Sequence, residues 1–230
     1  MNEQQVSTIL ITLLVFGFIF VIIAAIVVAV IVSRRREQER TRQLASVAPL
    51  LGWQFTDTAD LNWIPNLETF ALFSQGHGKR IKNAMYGEID GVKAAIFDYR
   101  YTVGGGKSSQ TFNQTVVYFE SRNLNLPFFS LRHEQLVHKL ISAFGYQDID
   151  FDSRPLFSSE YLLRGPDEPG VRKLFNDALL NFYETNLGVC TDGGGNQLFI
   201  FRPNQRAEPH DTQSVVNWAL QIQRLYGGRW

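Results

Sequence analysis

Only one cysteine, Cys190, stands among the 230 residues. A lone thiol forms neither an internal disulfide nor a cysteine-based zinc site. The fold must therefore be held by burial and hydrogen bonding, as suits a reducing compartment. Cys190 itself reads as a small strand residue. Basic charge is also missing where a secretory leader would need it: no lysine or arginine precedes Arg34, and Glu3 stands there instead. Net charge is absent too. Lysine plus arginine and aspartate plus glutamate each total 22, which argues against the basic face of a nucleic-acid-binding domain. Aromatic residues are not scarce, and phenylalanine leads them with 18. A substantial core is available and disorder is not expected.

One stretch lacks charge altogether. From Val6 to Val32 every residue is apolar except Ser7, Thr8 and Thr12. As a helix it would span roughly 40 Å at about 1.5 Å per residue, more than a hydrocarbon layer of about 30 Å. Backbone in lipid must satisfy its own hydrogen bonds, so the segment is expected to be helical despite its many β-branched residues. It is too long for the apolar part of a cleaved leader, and no small-residue cleavage site precedes a polar start. No cysteine follows it for lipid attachment. Arg34, Arg35 and Arg36 abut its C-terminal end. The positive-inside rule then places residues 1–5 outside, 6–33 across the membrane and the remainder in the cytoplasm. The same three arginines are expected to meet anionic headgroups at the membrane surface. Residues 34–52 read as a basic juxtamembrane helix or stalk ending near Pro49 and Gly52, and residues 53–230 as one α+β domain.

Within that domain the pattern from Trp53 to Asn83 is mixed, with Asn66 placed to cap a short helix through Phe73 and a turn at Gln75–Gly78. Clear strands follow. Ala84–Ile89 leads through Asp90-Gly91, a strong hairpin turn, into Val92–Tyr101. Gly104–Gly106 turns the chain into Thr111–Glu120, and a fourth strand lies near Pro127–Leu131. Helices are expected at His133–Phe144, Val171–Tyr183 and Thr212–Tyr226, the last with Asp211 as its cap. Ser158–Arg164 reads as a strand, and Leu187–Thr191 with Gln197–Arg202 as a hairpin around Gly193–Gly195. Antiparallel strands, a meander plus a hairpin, packed with about three amphipathic helices make an α+β fold rather than a doubly wound one.

Several motifs invite a chemical reading. Gly104-Gly105-Gly106-Lys107-Ser108 imitates the end of a phosphate-binding loop, but Tyr101 holds the place of its first glycine and a strand follows where a helix is needed. His133 and His138 bracket a glutamate as in zinc-protease helices, yet they are five apart rather than four. That spacing sets them about 140° apart around a helix. The run Asp148-Ile149-Asp150-Phe151-Asp152 is the best metal candidate. In an extended chain its three carboxylates share one face and could offer oxygen ligands to Mg²⁺ or Ca²⁺. The plainer reading is a solvated edge with an aspartate paired to Arg154 or Arg164. Asp98, on a strand face that is otherwise apolar, needs a donor and is expected to form a structural ion pair. His77, His133, His138 and His210 are scattered, and no strained serine elbow is present.

Phe97-Asp98-Tyr99-Arg100-Tyr101 and the stretch from Asp148 to Gly165 (DIDFDSRPLFSSEYLLRG) resemble an uncharacterised family of bacterial membrane-anchored proteins, over about Ala84 to Arg202. The resemblance implies a bacterial inner membrane and a domain without an assigned reaction.

The residues define no catalytic or cofactor site, and no cofactor is expected. The sequence therefore points to a single-pass anchor carrying a protein-interaction or scaffold module. Its partners are the lipid bilayer and a further membrane or cytoplasmic protein, not nucleic acid. The alternatives are a metal-assisted hydrolase using Asp148, Asp150 and Asp152, or a module that binds the lipid surface.

Overall fold

The computed structural model describes residues 2–134 and 147–227. The chain divides into two compact units, Met1–Gln43 and Leu44–Trp230.

The first unit consists of most of helix α1, Glu3–Val47, whose last turn belongs to the second. Phe16, Phe20 and Val28 are 66%, 73% and 59% exposed. These side chains are apolar and exposed, and lipid is the solvent in which such a helix needs no cover. It is the one helix among the described residues long and apolar enough to cross a membrane. Arg34, Arg35 and Arg36 follow on exposed positions.

In the second unit α1 gives way to a tight 3₁₀ turn, Ala48–Leu51, with Pro49 at its start and Gly52 closing it at φ 69°. This is the helix stop that Pro49 and Gly52 foretold. Eight antiparallel strands then form one sheet in the order β1-β2-β3-β4-β8-β7-β5-β6. They are β1 Gln54–Ala59, β2 His77–Ile89, β3 Val92–Val103, β4 Gln110–Glu120, β5 Leu126–His133, β6 Tyr161–Arg164, β7 Cys190–Gly195 and β8 Gln197–Phe201. Among the described residues the helices after α1 are α2 Ala71–Ser74, α3 Pro155–Glu160, α4 Glu168–Leu174, α5 Asp177–Thr185 and α6 Thr212–Leu225. The architecture is α+β.

Alternation along β3 sorts its residues onto two faces. Ala94 and Ile96 join a core with Trp53, Val117, Phe157, Phe175, Leu179, Val216 and Ile222, so the helices cover this side. Ala95, Phe97, Tyr99 and Tyr101 join a second core with Ile64, Leu67, Phe70, Leu72 and Phe73. That side is covered by the irregular segment 61–74. Trp53 lies against Gly87, where a Cβ would collide with the indole.

The Asp90-Gly91 turn is present with both residues at positive φ, 49° and 76°, as a two-residue hairpin turn requires. Other expectations need correction. The meander is β1 to β4, and the strand foreseen near Pro127–Leu131 is not its fourth member: β4 pairs with β8, while β5 pairs with β6 and β7. β2 begins at His77, so the expected turn at Gln75–Gly78 runs into strand. Ser158–Glu160 is helical, with Pro155 opening α3, and strand starts only at Tyr161. The helix expected over Val171–Tyr183 is two helices. Asn176 Oδ1 accepts from Ala178 N and Leu179 N at 3.0 and 3.2 Å, a cap that starts α5 afresh. Asp211 stands before α6 but makes no capping bond. Gly193–Gly195 lie within β7, and the turn is made at Gly195-Asn196. His133 ends β5, and the rest of the helix expected to Phe144 lies almost wholly outside the described residues.

Candidate functional site

Polar groups buried in a sheet must find partners, and among the described residues three clusters built around a carboxylate bear on chemistry. The most enclosed joins β5 to β7. Asp192, fully buried, takes two bonds from Arg132: Nη1 to Oδ1 at 2.5 Å and Nη2 to Oδ2 at 2.8 Å. Leu72 N donates to Asp192 Oδ2 at 2.7 Å, which ties the covering segment to the sheet. Arg132 also donates to the Leu131 carbonyl and lies 4.9 Å from the Phe201 ring centroid. Burial alone would lower the guanidinium's pKa, but the Asp192 carboxylate outweighs it and holds Arg132 above its ordinary value. Sequence reading missed this pair. Its only signal was a charged residue just past the end of each of two strand-like runs far apart in the chain.

The second cluster surrounds Asp98. Its Oδ2 accepts from Asn83 Nδ2 at 2.9 Å and its Oδ1 from Thr115 Oγ1 at 3.0 Å, and Arg206 Nη1 lies 4.0 Å away. Asn83 reaches it from an irregularity in β2, at φ 51°. The expected need for a donor is met by these side chains. Lys93 pairs with Glu120 at 3.1 Å. Beside this cluster a cavity of about 370 Å³ opens between β4, β8 and α6, with Arg202, Arg206, Ser214 and Trp218 in its wall. Arg202 is occupied: it donates to the Leu187 carbonyl at 2.7 Å and lies 5.5 Å from the Trp218 ring.

The third cluster is His133 Nε2 with Glu160 Oε2 at 3.2 Å, beside the Tyr161 ring. The histidines are as scattered as their order suggested. His77 Nε2 meets the Gly104 carbonyl at 3.1 Å, and His210 lies 3.6 Å from Asp211. His138 lies outside the described residues. Cys190 is fully buried, and burial pushes its thiol up to about 11.

The acidic run leads into different surroundings. Asp148 Oδ1 accepts from Ile149 N at 3.0 Å and Leu163 N at 2.9 Å, latching the run onto β6. Desolvation raises its pKa, and those two amide bonds work against the rise. Asp150 offers its backbone carbonyl to Arg172 Nη1 at 2.6 Å, and its residue is exposed, as is Asp152. Arg154 pairs with Asp177 and Glu184 on α5 rather than with an aspartate of the run. Among the described residues no three histidine, cysteine or acidic side chains form a group that could hold a metal ion. The Gly104–Ser108 loop is a hairpin connection with a 3₁₀ turn at Gly106–Ser108, followed by β4.

These features define a class: an α+β protein with a broad antiparallel sheet and an N-terminal helix of membrane length. No family model matches the chain, and no curated protein matches it. Among solved structures it is similar to the mycobacterial trehalose monomycolate transport factor A, TtfA. The TM-score is 0.57 at 13% identity, over 80% of this chain and 93% of that one. At this identity the likeness is one of fold.

Proposed function

We propose that the chain is an accessory module of a membrane process, holding its α+β domain at the cytoplasmic face through a single anchor. One conjunction carries this reading. The same chain has a membrane-length apolar helix and a fold shared with a transport factor along nearly all of that factor's length. The arginines at 34–36 favour the cytoplasmic orientation, because guanidinium groups resist translocation. The buried charges add support. Arg132, Asp192 and Asp98 are bonded to each other, to backbone or to neighbouring side chains, so they knit the sheet together. A protein partner at the membrane is the expected occupant of the module's surface.

The test is crosslinking in cells followed by affinity capture of the full-length chain from detergent extracts. A partner recovered in fixed stoichiometry, and lost when residues 6–33 are replaced by an unrelated anchor or the domain is removed, supports the reading. A chain recovered alone under crosslinking would overturn it.

A further inference from the structure

The segment that covers one face of the sheet stops short of its last strands. Leu72 N–H still reaches Asp192 on β7. Beyond it, between Phe70 and Ala71 on one side and β5 and the end of β6 on the other, lies a cavity of about 270 Å³. Phe128 lines it. This ring lies over Gly194, where any Cβ would collide with it, and its centroid is 5.9 Å from that of Phe70. Phe128 nevertheless stays 47% exposed, unusual for a phenylalanine in a sheet with two cores. Gly165 closes the far side at the end of β6, so near β5 that a Cβ there would meet the Phe128 carbonyl.

Polar groups in this wall are few, and one of them is unsatisfied. Arg164, opposite Ser130 in the β5–β6 register, lines the cavity. Its Nε is buried and has no hydrogen-bond partner among the described residues. A buried donor on a charged group is costly to leave unmade. Asp148 is close enough to act on Arg164 electrostatically, but it gives its Oδ1 to the amides of Ile149 and Leu163. An apolar recess with one underused guanidinium at its edge is a described kind of site: a hydrophobic body is held by the walls, and the polar group fixes its orientation.

We propose that this cavity binds a small amphipathic carboxylate, an acyl or aryl acid, with its apolar body against the Phe70–Phe128 ring pair and its carboxylate on Arg164. A carboxylate fits because the planar guanidinium fork matches it in two parallel bonds. One cation in the wall complements one negative charge, whereas a phosphate dianion calls for more. The inference is independent of the accessory role.

The experiment uses the full-length chain in nanodiscs, with fluorine NMR of a fluorinated phenylpropanoate and its uncharged primary amide. Empty nanodiscs give the partition into lipid. Saturable binding of the acid is expected, with the amide weaker by about tenfold or more, since the charge-assisted bonds are what it lacks. Arg164→Gln brings the acid down to the amide's level and leaves the amide unchanged. Ser130→Phe, which fills the recess, removes both. Equal binding of acid and amide, acid binding unaltered by Arg164→Gln, or a signal no larger than in empty nanodiscs would each overturn the proposal. The acid–amide comparison needs no variant, so the answer does not depend on how either substitution folds.

Discussion

Arg132 and Asp192 illustrate how one residue can depend on another. Each was taken out of water, and the bidentate contact is what offsets that desolvation. Removing one partner leaves a bare buried charge. Asp192→Ala should therefore destabilise the domain by about 3–5 kcal/mol, and Arg132→Met by a similar amount. The double variant Arg132→Met/Asp192→Asn should lose less than the sum of the two, because the asparagine still accepts from Leu72 N and no charge is stranded. Thermal unfolding of the four chains measures the coupling. Asp148 gives a prediction of the opposite kind. Its oxygen holds two backbone amides, while desolvation raises its pKa. A carboxyl whose folded pKa lies above its unfolded value binds its proton more tightly in the native state. Its charge then costs stability as pH rises from the ordinary carboxylate range through the raised value, and that cost disappears on acidification. Asp148→Asn keeps an acceptor oxygen, so its stability relative to the parent should improve across that window. Asp148→Ala, which takes this acceptor from Leu163 N while Ile149 N keeps its bond to the Leu163 carbonyl, should lose about 1 kcal/mol. Unfolding midpoints followed from acid to neutral pH distinguish the two. Cys190 should resist a water-soluble alkylating reagent at about pH 8 until the domain unfolds, since its thiol is buried and poorly ionised. Mass spectrometry of native and denatured samples reads this directly.

At the scale of elements, β7 shows how a turn signal can mislead. Three consecutive glycines promise a loop, yet Gly193 and Gly194 lie in strand because the rings of Phe129 and Phe128 occupy the space where their side chains would be. Gly193→Ala should destabilise the domain by about 1–3 kcal/mol through overpacking against Phe129. Gly193→Ala combined with Phe129→Leu should recover part of the loss, again by thermal unfolding. The Asp90-Gly91 hairpin and the stop at Pro49 and Gly52 were legible because their chemistry is local: positive φ and a missing N–H act wherever they occur. β1 was not legible. Gln54–Ala59 has no strong periodicity and is a strand because β2 offers it a free edge. The break at Asn176 was a local signal that the stripe from Val171 to Phe182 concealed. The polar clusters were half legible. Asp98 advertised its need for a donor, but Asn83, Thr115 and Arg206 come from three different segments. Arg164 read only as a partner for the acidic run, because what marks it is the cavity beside it.

The whole molecule poses a question of direction. If the arginines at 34–36 set the orientation, replacing all three with serine and placing lysines within residues 2–5 should invert a large share of the molecules. A reporter fused after residue 230, active on one side of the membrane only, would show the change. A distribution indifferent to these charges would refute the cytoplasmic placement. The sequence by itself determined the apolar N-terminal helix of membrane length, the α+β class and the hairpin at Asp90-Gly91. Each depends on composition or on neighbours a few residues apart. Only the tertiary structure decided that β4 lies beside β8, that Arg132 meets Asp192, and that the covering segment ends where Phe128 and Arg164 frame a recess. Those facts depend on which distant segments come to share a face of the sheet, and pairing between distant strands is chosen by total burial and hydrogen bonding, a sum that no short stretch of chain carries.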